Sequence, residues 1–166
     1  MKRFTIILAA SLLAAIALAP AQTKAPPPVV APPMTGQLTS LDNALKQGEF
    51  DKVIKDVDAT LVRYNSMDLP RALWLRGRAR QMQAEKTADA AAKKALLLQA
   101  GLDLMRVATF FPYSNEAGPA LVETGKVLAA AGDKTAALNA LDAAMSRYQG
   151  AQAADDAKIA KEALMK

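Results

Sequence analysis

Residues 121–148 read LVETGKVLAAAGDKTAALNALDAAMSRY, and their pattern decides the fold class. Apolar residues fall at Leu121, Val122, Leu128 and Ala129 in the first half. In the second half they fall at Ala137, Leu138, Leu141, Ala144 and Met145. This i, i+3, i+4, i+7 spacing predicts two one-faced helices. They are broken at Gly132-Asp133, where a glycine lets the chain reverse. Gly125 inside the first helix lets two backbones approach. Neither helix can bury its stripe alone, so further elements must stack on the pair.

The same pattern recurs upstream. Residues 47–64, QGEFDKVIKDVDATLVRY, lie over residues 131–148 with Gly48 on Gly132, Val57 on Leu141, Leu61 on Met145 and Tyr64 on Tyr148. Between them Leu104, Val107 and Phe111 fit the same register. Helices are expected over residues 38–46, 50–64, 71–83, a long segment ending at Phe110 or Phe111, the 121–148 pair, and a terminal segment from Ala151. Pro70, Pro112 and Pro119 punctuate them, Asp68 and Ser114 are expected caps, and Glu85-Lys86-Thr87 is expected to turn. No segment after residue 21 reads as a strand.

The spacing resembles the tetratricopeptide-repeat family, over about residues 38–150. In the last hairpin Leu121 takes the family's large apolar place and Gly125 the small one. Leu128 follows, then Gly132 at the turn, then Ala137, Leu141 and Ala144 on the second helix. The middle hairpin has Leu73, Gly77, Ala100, Leu104 and Pro112 in place. It departs by setting Arg76 and Arg80 where apolar residues are usual, and by inserting roughly a dozen residues after Met82. The first hairpin matches in its second half. Arg147-Tyr148 before a loop is similar to the branch found in bacterial envelope proteins. The resemblance implies an all-α solenoid of about three helical hairpins, closed by a C-terminal capping helix.

In that register Trp74 lines the inner groove, with Arg71 and Arg78 on the same face, and Lys126 takes the equivalent place in the last hairpin. Together they imply an aromatic anchor in basic surroundings, suited to a peptide with acidic residues or a free carboxylate. The alternative is that Trp74 is a core residue and the arginines are solvated. Tyr64, Tyr148, Phe110, Phe111 and Tyr113 read as packing residues, and Met105 and Met145 as core. On the terminal helix Ile159, Ala163 and Leu164 form the expected buried side.

At the other end, Lys2 and Arg3 precede an uncharged run of sixteen residues, and Ala19-Pro20-Ala21 follows. This predicts an export signal over residues 1–21, cleaved before Gln22, and hence a periplasmic or envelope location. The run is short of the roughly 20 residues a span needs; an uncleaved anchor is the other reading. Residues 22–37 form a proline-rich tether, read either as a spacer or as a docking site for a proline-reading domain. The repeat domain then fills residues 38–166.

Composition narrows the function. The 166-residue chain has no cysteine and no histidine, which removes disulfides, the commonest general base and the commonest metal ligand. Its net charge of +5, two of it from Lys2 and Arg3, is not massed into a nucleic-acid-binding block. No nucleophile motif or zinc spacing occurs, and neither metal nor cofactor is expected. Residues 120–127 echo a phosphate loop but fall mid-helix. The carboxylates Asp51, Asp56, Asp58, Asp155 and Asp156 read as exposed helix charge. The expectation is a non-catalytic adaptor that binds another protein or peptide; a self-associating structural subunit is the alternative.

Overall fold

The computed structural model describes residues 35–166, and the expected signal and most of the tether lie outside the described residues. Seven α-helices account for most of the described chain, with no strand among the described residues. They are α1 (Thr35–Lys46), α2 (Phe50–Thr60), α3 (Leu69–Lys86), α4 (Ala90–Phe110), α5 (Ala117–Ala130), α6 (Lys134–Arg147) and α7 (Gln152–Met165). A single 3-10 turn, Leu61–Arg63, ends α2. Consecutive helices pack in pairs, and α7 lies against both α5 and α6.

The turns of the first and last hairpins are built alike. At Gly132 (φ +90°) the Asp133 amide donates to Leu128 O at 2.9 Å, and the glycine amide to Ala129 O at 3.0 Å. At Gly48 (φ +79°) the Glu49 amide donates to Ala44 O and the glycine amide to Leu45 O. This is the left-handed helix stop that glycine adopts without a Cβ penalty. Asp133 then caps α6 by accepting from the Ala136 amide at 2.9 Å. The residues inserted after Met82 lengthen both arms of the middle hairpin. Helices α3 and α4 have 18 and 21 residues, against 14 each for α5 and α6.

The two later hairpins share one packing lock. A Cβ on Gly77 would sit 2.9 Å from Leu104 Cγ and 3.3 Å from Ala100 O. A Cβ on Gly125 would sit 2.5 Å from Leu141 Cγ and 3.2 Å from Ala137 O. In each pair a leucine from the second helix fills the space of a missing side chain on the first. Leu121, Leu104, Ala137, Leu141 and Ala144 are all buried. Three apolar clusters follow along the chain, centred on Val53, Val57 and Leu75, then on Leu97, Leu104 and Val127, then on Leu121, Leu141 and Ala157.

Several local expectations are corrected. Helix α1 begins at Thr35 rather than Leu38, its first turn held by Gln37 Nε2 donating to Thr60 Oγ1 at 3.2 Å. Helix α3 runs through Glu85-Lys86, so the turn falls at residues 87–89, where Asp89 caps α4 by accepting from the Ala92 amide. Asp68 flanks α3 but makes no side-chain cap bond; Asn65 Oδ1 accepts from the Met67 and Asp68 amides instead. Ser114 is not the cap of α5, which starts at Ala117 after Glu116. Met105, Phe110 and Tyr113 are exposed, because α4 turns Leu97, Ala100, Leu104 and Val107 inward and these residues lie elsewhere on its surface or beyond its end. Ile159 and Ala163 also face out, since α7 seats Ala153 and Ala157 against α5 and α6.

Tyr64 and Tyr148 do close their hairpins. Tyr64 is buried, and the Tyr148 hydroxyl donates to Pro112 O at 3.0 Å, tying the α6–α7 connection to the α4–α5 connection. Burial raises the Tyr148 hydroxyl above its usual pKa of 10, with the nearby Arg147 charge pulling the other way. A raised folded value means stability is intact below pH 10 and falls as pH rises through the folded pKa. Denaturant melts of Tyr148→Phe should therefore show a shallower alkaline loss than the native chain. At neutral pH the variant should lose roughly 0.5–1.5 kcal/mol for the absent hydrogen bond.

Candidate binding face

Helices α1, α3 and α5 contribute side chains to one continuous charged ladder. Arg71 on α3 donates to Asp42 Oδ1 on α1 at 2.7 Å, and Lys46 meets the other oxygen of Asp42 at 2.8 Å. The Arg71 guanidinium also lies 4.6 Å from the centroid of the Trp74 ring. Arg78 stands 5.9 Å from the same centroid and donates to Glu123 Oε2 on α5 at 2.6 Å and to Gln81 at 2.7 Å. Lys126 completes the row, its ammonium 2.9 Å from Glu123 Oε1.

The four residues expected to form a groove are thus near one another, spread over α3 and α5. Their partners Asp42 and Glu123 were not expected, because an ion pair between helices 29 or 45 residues apart leaves no mark on a linear pattern. Among these residues four cations meet two carboxylates. The hydrogen bond from Lys46 holds the Asp42 carboxyl below the usual carboxylate range, burial opposes this, and Arg71 adds to the lowering.

Trp74 is a packing residue with arginines beside its ring. It is half-buried and packs against the first and second apolar clusters. Its indole Nε1 is buried without a hydrogen-bond partner. A cation over an indole contributes about 0.5–2 kcal/mol, so Arg71 is oriented by ring and carboxylate together.

A second charged group was legible only as an oddity, the two arginines at apolar places. Arg76, 5% exposed, grips the fully buried Asp103 of α4 with two bonds, Nε to Oδ2 at 2.8 Å and a terminal nitrogen to Oδ1 at 2.6 Å. Arg80 also pairs with Asp103, Arg76 with Asp58 of α2, and Arg106 approaches Asp103 at 3.3 Å. Burial alone would lower the Arg76 pKa; Asp103 and Asp58 more than offset it and raise the value. Asp58 is therefore an ion-pair partner, not merely a solvated charge. Residues 120–127 lie inside α5.

Among the described residues no group of three or more metal-ligating side chains converges, and no helix is long and apolar enough to cross a membrane. Protein-family models give no match to the chain, and no curated protein matches it.

Proposed function

We propose that this chain is a non-catalytic adaptor of the tetratricopeptide-repeat type, exported to the cell envelope. In this proposal the face of α1, α3 and α5 is the inner groove of a short solenoid and holds an acidic peptide segment or a free C-terminal carboxylate. The observation that carries it is the row Arg71–Trp74–Arg78–Lys126, which offers oriented cations beside an aromatic ring. Arg71 and Arg78 already hold carboxylates in the correct geometry, so an incoming carboxylate needs only to share or displace Asp42 or Glu123.

The test is calorimetric titration with acidic pentapeptides bearing a free carboxylate, against the same peptides amidated. The free acids should bind, and Arg71→Gln should weaken them about tenfold, some 1.4 kcal/mol. Its melting temperature should hardly move, since the pair is partly exposed and Asp42 retains Lys46. Equal binding of acid and amide would assign the groove to acidic side chains; no binding of either, or binding that Arg71→Gln leaves unchanged, would remove the groove assignment.

A self-associating subunit is the second reading, favoured by one feature. Leu98, Leu102 and Met105 stand exposed on α4 at spacings of four and three, the seam along which helices pair. Light scattering of the same samples separates the two: a mass that stays monomeric with rising concentration counts against self-association.

A further inference from the structure

The antiparallel course of the helices brings the α2–α3, α4–α5 and α6–α7 connections to one edge. The start of α1 reaches that edge too, because Gln37 in its first turn bonds Thr60 at the end of α2. Two cavities open there side by side. One, of about 460 Å³, lies between the first two connections and is lined by Met67, Pro70 and Phe110. The other, of about 550 Å³, lies between the last two and includes Arg147 and Tyr148. Pro112, Tyr113 and Ser114 belong to both. Tyr113, on the shared wall, is fully exposed, and Met67 and Phe110 of the first cavity are 85% and 70% exposed.

Rings and a methionine standing proud of a shallow groove, with the tyrosine hydroxyl free to donate, are what a polyproline II strand needs. Such a strand has no internal hydrogen bonds, so its carbonyls are free to accept, and its proline rings seat between aromatic side chains. The chain carries this ligand itself. Residues 26–33 read PPPVVAPP and join the domain at the start of α1, on that same edge. Eight residues of polyproline II would span about 25 Å, against about 20 Å for two interhelical steps of about 10 Å along the edge. The segment is therefore long enough to reach from the start of α1 past Met67 to Tyr113.

We infer that the proline-rich segment 26–33 docks intramolecularly along this edge, its proline rings seated against Tyr113, Phe110 and Met67 and one of its carbonyls accepting a hydrogen bond from the exposed Tyr113 hydroxyl. The tether is then a part of the folded surface that can be released, independent of the charged face on α1, α3 and α5.

The chain has no cysteine, so paired spin labels at Val30→Cys and Thr109→Cys report the distance directly on protein purified from cells expressing the full chain. One narrow distance population is expected. It should be lost, giving a broad distribution, in Tyr113→Ala and separately when Pro26, Pro27, Pro28, Pro32 and Pro33 are all changed to serine. Tyr113→Ala should melt like the native chain, as its side chain is fully exposed. A broad distribution in the native protein overturns the inference, as does a narrow one that survives both variants. A narrow distance seen on mixing two singly labelled chains also overturns it, by placing the segment on a second copy.

Discussion

Replacing Asp103 with alanine should destabilise the protein by about 3–5 kcal/mol, the range for removing one partner of a buried ion pair. Asp103 is fully buried and is the carboxylate on which Arg76, Arg80 and Arg106 converge. Without it, Arg76 remains desolvated on α3 with only the half-exposed Asp58 to face, and Arg80 stands beside it with like charge. The loss is the cost of that stranded charge; the intact pair need not contribute as much. Urea melts followed by helix signal would measure it. Arg106→Ala is the control: its side chain is half-exposed and its contact with Asp103 long, so a change within about 0.5 kcal/mol is expected. Should Asp103→Ala cost less than the control, the network is not what holds α3 on α4.

Gly125→Ala is the second large effect, and its sign runs against helix propensity. Alanine in a helix interior is favoured over glycine by about 1 kcal/mol. Here the added methyl would meet Leu141 Cγ at 2.5 Å and Cδ2 at 2.7 Å, with the Ala137 carbonyl at 3.2 Å behind them. Leu141 is fully buried and cannot swing out, so α5 and α6 must separate, at a net cost of about 1–3 kcal/mol. Gly77→Ala should cost less, because its nearest contact is 2.9 Å. Leu141→Ala alone should lose about 2–5 kcal/mol. In that background Gly125→Ala should become neutral or stabilising, since the methyl then enters the vacated space. A destabilisation that is the same in both backgrounds would mean the leucine is not the obstacle.

The parts of the fold that sequence disclosed are those coded by residues with one physical use. Gly48 and Gly132 stop helices, Pro112 ends α4, and Gly125 with Leu141 announces a close helix crossing. The turns and the pairing of α5 with α6 were legible for that reason. Helix α4 was not legible in the same way, because it is apolar on opposite sides. Leu97, Leu104 and Val107 are inside while Leu98, Leu102 and Met105 are outside, and periodicity cannot choose between two stripes. The cations of the candidate face could be named from position. Their counter-ions could not, since Asp42 and Glu123 are brought in by other helices. Arg76 and Arg80 were visible as departures from an apolar place. Their cause, Asp103, sits 27 and 23 residues away on a neighbouring helix.

The long middle hairpin carries a consequence of its own. Gly101 of α4 faces Val127 and Leu128, close to the end of α5, so the residues before Leu97 run past that helix. All of residues 90–95 are exposed, and none of them enters an apolar cluster. This overhang is where the chain can gain or lose a helical turn over evolutionary time, or accept a fused epitope, while the packed remainder keeps its register.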